Sequence, residues 1–205
     1  MTTVHDTLDS FVLDLAEYLH GTNEYEISFA CKKNEEFERR LPSYIHFYPI
    51  TIERGANSTV FTATRELKRL FQKEKFDIVQ FSTPNASFCA STAARQTGIP
   101  VRLYCQWGLA YVGFQGWKRT VFKALEKKTC QNATVIEPDS QGNLNFSVEE
   151  GLYPRSKAHV IGKGSASGVN LKKFNLSEKP VWRHEIRKKY SIADKIGRAS
   201  CRERV

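Results

Sequence analysis

Several kinds of residue and pattern are scarce in this 205-residue sequence. No apolar run reaches the roughly 18 to 20 residues that a membrane-spanning helix needs. The opening stretch MTTVHDTLDS has neither a basic n-region nor an apolar h-region, so it does not read as a signal peptide. The five cysteines, Cys31, Cys89, Cys105, Cys130 and Cys201, form no CxxC pair and no Cys/His cluster of zinc-ligand spacing. They read as reduced thiols of a cytosolic protein. No repeat, low-complexity tract or DxD motif occurs, and no recognition-helix, RRM or zinc pattern points to nucleic acid. Acid is also in short supply: 31 Lys and Arg face 22 Asp and Glu, a formal net of +9. That balance favours an anionic partner, whether nucleic acid, an anionic membrane surface or a phosphorylated substrate, and does not choose among them.

The sequence does contain a regular alternation of helical and strand patterns, which specifies a mostly parallel sheet with helices on its faces. Residues 7–20 place Leu8, Phe11, Val12, Leu15 and Leu19 on one helical face, with Asp6 as N-cap and Gly21 as stop. Strands are predicted at 26–31, 45–50, 76–82, 99–105, 133–138 and 159–162. Helices are predicted at 58–75, 85–98, 117–131 and 140–151. A doubly wound fold opens on a strand, yet only MTTV precedes the first helix. Most of that opening strand is therefore expected to be missing, the first residue here lying inside a longer protein.

In such sheets ligands sit beyond the carboxyl ends of the strands. Three loops follow from that rule: 4–7, 82–85 (STPN) and 106–116 (QWGLAYVGFQG). They nominate His5, Asp6, Thr7, Thr83, Asn85, Gln106, Trp107 and Gly108 as substrate-binding residues. Alternatives stand beside these. Asp6 could simply cap the helix with His5 exposed, and Trp107 could fill a core gap rather than offer its flat face to a sugar. The helix 117–131 carries Lys118, Arg119, Lys123, Lys127 and Lys128 against Glu126 alone. Lys118, Arg119, Lys123 and Lys127 are expected to meet an anionic lipid surface or a diphosphate, the alternative being a solvated basic face.

The stretch GLYPRSKAHVIGKGSASGVNLKKF (151–174) resembles the end of the N-terminal domain of family 4 glycosyltransferases. The matching residues are Gly151, Lys157, Val160, Ile161, Gly168, Val169, Asn170 and Phe174. The expanded GKGSASGVN form is similar to the branch that extends sugars on polyprenyl-diphosphate carriers. TTVHDTLDSF resembles that branch's first strand end and loop. VRLYCQWG resembles its central strand, with Trp107 standing where the family has His. The helix 117–131 followed by TCQNATVI keeps the family's order.

The resemblance implies two Rossmann-like domains of GT-B type, the first binding the acceptor and the second the nucleotide-sugar. It implies a retaining transferase whose pair of Glu residues, eight apart, lies in the second domain. No catalytic residue is therefore assigned within this chain, no metal or cofactor is implied, and the nucleotide-sugar is a substrate. The expected layout is an acceptor-side domain at 1–162, a linker at 163–179, and the opening of the donor domain at 180–195. The segment IGRASCRERV (196–205) resembles translated sequencing adaptor and is expected to be foreign, leaving a net +7 for residues 1–195. The intact enzyme is expected at the inner face of the cytoplasmic membrane as a peripheral protein. A same-fold sugar-nucleotide epimerase and a non-enzymatic basic Rossmann-like binding module are the alternatives.

Overall fold

A computed structural model describes residues 1–55, 57–169, 171 and 174–192. The tail 196–205, residues 193–195 of the expected donor domain, and Asn170 of the Gly-Val-Asn turn lie outside the described residues. The chain divides into two compact units, Met1–Ser167 and Gly168–Val205.

In the first unit the elements run α1 (His5–Phe11), α2 (Leu13–Gly21), β1 (Ile27–Cys31), α3 (Glu35–Arg40), β2 (Ile45–Pro49) and α4 (Thr59–Glu74). They continue as β3 (Ile78–Phe81), α5 (Pro84–Gln96), β4 (Val101–Gln106), α6 (Gly116–Asn132), β5 (Val135–Pro138) and α7 (Gln141–Glu149). β1 pairs with β2, and β3, β4 and β5 pair in that order, all parallel. The gap between the two groups is bridged by the chain's first residues. The Met1 amino group donates to Gln80 O at 2.6 Å and Met1 O accepts from Ser82 N at 3.1 Å. On the other side Thr2 N donates to Ala30 O, and Thr3 O accepts from Lys32 N, both at 3.2 Å. The order across the molecule is thus β2, β1, Met1–Thr3, β3, β4, β5. The first segment lies where the connection reverses direction, which defines a doubly wound sheet and its switch point.

A main core gathers Leu67 and Phe71 of α4, the small face Ala86, Ala90, Ala93 and Ala94 of α5, and Val79, Phe81, Tyr104 and Ile136 from the strands. The alanines leave no long side chain between helix and sheet, so α5 packs closely on β3 and β4. A smaller core joins Leu8, Ala16, Phe29, Cys31, Phe37 and Ile45 beneath α1–α3. The four described cysteines are free and buried. Burial pushes the Cys31 thiol up to about 12 and also raises those of Cys89, Cys105 and Cys130, which leaves them unreactive.

Four expectations change. The helix predicted at 7–20 breaks at Val12 (φ −122°, ψ −27°). Leu8 and Ala16 turn into the small core while Phe11 turns to Trp107, two directions one straight helix does not serve. Val4, not Asp6, is the N-cap, and Asp6 sits in the first turn. α3 was not foreseen; its Asn34 caps it through a 2.8 Å bond from Phe37 N, and Phe37 alone anchors it. Finally, 159–162 forms no strand. A single bridge pairs Ala158 with Ile136, and the chain then turns away. Gly162 and Gly164 take positive φ, and a side chain at Gly164 would overlap the Asp139 carbonyl. That carbonyl instead accepts from Ser165 N at 2.7 Å.

The Met1 amino nitrogen is enclosed although part of the Met1 side chain is open. Burial lowers its pKa from 8.0 to about 6. The neutral amine is the form that fits, so the unfolded chain holds the extra proton between those values and stability rises with pH across that window. Two pKa units correspond to about 3 kcal/mol. Denaturation at pH 6 and pH 8 is expected to show about 2 kcal/mol of that gain in the unmodified 205-residue chain and none of it after N-terminal acetylation. Equal pH dependence of the two would refute the assignment.

In the second unit a 3₁₀ turn at Leu176–Glu178 leads into α8 (Lys179–Lys189). Asn175 caps the turn through Ser177 N at 3.1 Å, Pro180 occupies the first helical turn, and Arg187, Lys188 and Lys189 complement the helix C-terminus.

Candidate functional site

The carboxyl ends of Met1–Thr3, β2 and β3 open onto one crevice of about 330 Å³, lined by Thr3, Val4, Arg54, Gly55, Thr83, Pro84 and Asn85. It lies at the switch point, where the physics of the doubly wound sheet places ligands. Thr83 holds φ at +69°, a costly conformation for a β-branched residue. The conformation is fixed by neighbours: Thr83 Oγ1 accepts from Thr3 N at 3.0 Å and shares a 2.9 Å hydrogen bond with Thr3 Oγ1. Asn85 Nδ2 donates to Glu53 O (2.6 Å) and Gly55 O (2.7 Å), clamping the loop after β2 onto the first turn of α5. Lys32 supports the same loop through Glu53 at 2.6 Å. The walls thus offer a guanidinium, paired hydroxyls and the amino end of a 13-residue helix. Such a set suits a hydroxylated or phosphorylated ligand.

Of the sequence candidates, Thr83 and Asn85 line this crevice directly. His5 directly follows Val4 of its wall, but its ring stacks on Phe37 at 5.3 Å. His5 Nδ1 lies 3.2 Å from Asp6 Oδ1, at angles that do not make a hydrogen bond. Asp6 is exposed and Thr7 half-buried. Gly108 is exposed, with φ at 147°. Trp107 is half-buried with its ring 5.3 Å from that of Phe11, and its enclosed indole N–H meets no acceptor among the described residues.

The side chain of Gln106 faces the core, not a ligand. Its Oε1 accepts from Tyr153 Oη (2.9 Å) and Ser147 Oγ (3.1 Å), and its Nε2 donates to Glu126 Oε1 (3.0 Å). Glu126 Oε1 also accepts from Tyr104 Oη at 2.7 Å. Burial raises the Glu126 carboxyl above its ordinary value, with the bonds from Gln106 and Tyr104 opposing. This network holds the end of β4 rigid behind Trp107. Gln106 O completes it, accepting from Asp139 N and Asn143 Nδ2. Sequence reading missed Thr3, Arg54 and Gly55. The rule that found the other loops applies equally to the one after β2 and would have nominated Arg54.

The basic helix is also rearranged. Arg119 and Lys123 converge on Glu150 at 3.2 and 2.8 Å, and Arg119 packs over the Tyr111 ring. Their proximity holds the Glu150 carboxyl below the usual range, Lys123 first. Of the four expected contact residues, these two are paired with Glu150 within the fold. Lys118 and Lys127, with Lys128, remain exposed. The buried face of α6 is Glu126, Thr129 and Cys130, while the apolar stripe Trp117, Val121 and Leu125 faces outward, Trp117 with 72% of its surface open. Among the described residues no helix is long and apolar enough to cross a membrane, and no group of three or more acidic, His or Cys side chains could hold a metal.

The fold and its crevice define a doubly wound α/β domain of the kind found as one half of GT-B enzymes. Residues 3–140 match the family model described as glycosyl transferase 4-like, and the chain belongs to that family. It is 29% identical over 160 residues to the capsular polysaccharide biosynthesis glycosyltransferase CapM of Staphylococcus aureus, covering 74% of this chain and 42% of that one. Solved structures share the fold, among them the following three. A Rickettsia africae glycosyltransferase gives a TM-score of 0.66 at 14% identity, over 96% of this chain and 49% of its own. A Rickettsia bellii UDP-N-acetylglucosamine 2-epimerase gives 0.63 at 15%, over 94% and 50%. Acinetobacter baumannii MurG gives 0.55 at 20%, over 80% and 44%. The chain spans half or less of the length of each.

Proposed function

We propose that this chain is the acceptor-side half of a retaining glycosyltransferase that moves a sugar from a nucleotide-sugar to a polyprenyl-diphosphate-linked glycan at the inner face of the cytoplasmic membrane. The observation that carries the reading is the switch-point crevice in a member of this family. Arg54 and the amino end of α5 suit a diphosphate, and the Thr3 and Thr83 hydroxyls suit sugar hydroxyls. The capsular role in the CapM relative's name agrees with a carrier-linked glycan acceptor. Donor binding and the Glu pair are assigned to sequence beyond the described residues.

Mixed with a panel of nucleotide-sugars and a short-chain polyprenyl-diphosphate-linked sugar, the 205-residue chain is expected to bind the acceptor without turning over. Arg54→Ala should weaken that binding about tenfold, a loss of roughly 1.4 kcal/mol. Sugar transfer by this chain would overturn the division of labour. Acceptor affinity indifferent to Arg54→Ala would overturn the crevice as the diphosphate site, and epimerisation of a UDP-sugar would favour the epimerase reading.

A further inference from the structure

The 17-residue helix α6 ends on an extended Ala133 rather than a glycine turn, and its last turn carries no cation of its own. Three cations from elsewhere in the chain gather there instead. Lys157, in the turn after α7, donates from Nζ to Cys130 O at 2.7 Å and to Gln131 O at 3.2 Å. Arg102 of β4 donates from Nε to Asn132 O at 2.7 Å and from Nη1 to Ile99 O. Arg95, in the last turn of α5, donates from Nη1 to Asn132 Oδ1 at 3.1 Å. Asn132 Nδ2 donates to Thr92 Oγ1 at 3.4 Å, which fixes the Asn132 amide with its oxygen toward Arg95.

The charges in this cluster do not balance. The carboxyl end of a helix amounts to roughly half a negative charge. Three full positive charges stand against it, and no Asp or Glu among the described residues forms an ion pair with any of them. A surplus of about 2.5 positive charges is left. Burial first, and repulsion from Arg95 second, lowers the Arg102 pKa. Lys157 is also lowered, by burial first, with Cys130 opposing and both arginines adding to the fall. Donors remain as well. Within the described fold Arg95 engages one of its five N–H groups, Arg102 two of five and Lys157 two of three. Arg95 is exposed and the other two are half-buried, so a ligand can reach the cluster.

We propose that Arg95, Arg102 and Lys157 form a site for a phosphate dianion at the amino edge of the sheet. Two guanidinium forks and one ammonium suit phosphate oxygens, and a dianion matches the surplus charge. The site is separate from the switch-point crevice. β4 runs six residues, about 20 Å, from the end that bears Arg102 to the end at the carboxyl side of the sheet, so one phosphate does not reach both. The phosphate belongs to a soluble phosphomonoester or to a phosphomonoester lipid head group, which present the same chemistry to these side chains.

The experiment titrates inorganic phosphate into the 205-residue chain at constant ionic strength and follows the arginine Nε–H resonances by NMR. Those of Arg95 and Arg102 are expected to shift saturably, with a Kd on the order of 1 mM. Arg95→Gln and, separately, Lys157→Gln should each raise that Kd about tenfold. Arg95 is exposed and makes a single bond, so its variant should melt as the parent does without phosphate. Arg54→Ala in the crevice and Arg69→Gln on the outside of α4 should change the Kd less than about twofold, because diffuse charge is screened at that distance. Co-sedimentation with phosphatidate vesicles separates the two sources: loss of sedimentation in Arg95→Gln identifies the lipid head group, and unchanged sedimentation identifies a soluble phosphate. Shifts that do not saturate at phosphate far above that Kd would overturn the proposal. So would an equal loss of affinity in Arg69→Gln, because the three cations would then serve only to cap α6.

Discussion

Replacing Glu126 by Ala is expected to destabilise the chain by about 3 to 4 kcal/mol, whereas Gln in the same place should be tolerated. Glu126 Oε1 is the acceptor for both Tyr104 Oη and Gln106 Nε2, and all three residues are buried. Truncation leaves two enclosed donors without an acceptor, each costing about 1 to 3 kcal/mol, and opens a cavity besides. A Gln at 126 keeps the one oxygen that both donors use. It also removes a titrating group. Burial raises the Glu126 carboxyl, so the parent's stability is fullest below the ordinary carboxylate range and declines as pH rises through the raised value. Urea denaturation of parent and Glu126→Gln should therefore agree within about 1 kcal/mol at pH 5, with the variant gaining on the parent by pH 8. The Met1 amine titrates in both chains, so it cancels from the difference. A parent that outlasts the Gln variant increasingly toward pH 8 would show the network prefers the ionised carboxylate.

Changing Lys118, Lys127 and Lys128 together to Glu is expected to abolish binding to anionic vesicles, while Arg119→Ala together with Lys123→Ala and Glu150→Ala, a loss of one net charge, should weaken it far less. The contrast comes from Glu150, which holds Arg119 and Lys123 in ion pairs and leaves that trio with a net +1. The three exposed lysines instead flank Trp117, Val121 and Leu125, one turn apart and turned outward. Each Lys near an anionic surface contributes about 1 kcal/mol, so three supply about 3 kcal/mol, more than a hundredfold in partitioning. Trp117 adds an amphipathic anchor suited to the head-group region. Binding should fall with salt, since exposed charges are screened over about 8 Å at physiological ionic strength. Co-sedimentation with anionic and neutral vesicles, at low and high salt, provides the measurement. If the triple Glu variant sediments as the parent does, the stripe is not a membrane contact.

Much of this molecule was legible in the sequence. Periodicity alone gave the five strands and the helices α4, α5, α6 and α7, because a strand buried on both faces and a helix with one apolar stripe each leave a repeating signature. The carboxyl-end rule nominates the loop 82–85, whose Thr83 and Asn85 line the crevice. Four features needed the tertiary structure. α3 is a six-residue helix held by one cap and one Phe, too short to show a period. The end of the predicted strand 159–162 lifts off the sheet because Asp139 O bonds Ser165 N, a contact 26 residues apart. Gln106, polar and at the tip of a strand, read as a ligand contact; only the arrival of Tyr153, Ser147 and Glu126 from three other segments made it part of the core. In the same way, the charges of α6 could be counted from the sequence, but which of them remain open depended on Glu150, brought beside Arg119 and Lys123 by the packing of α7 and the turn after it. Local propensity and periodicity act over a few residues and are written in order along the chain. Burial and ion pairing depend on which distant residues meet, and the fold alone decides that.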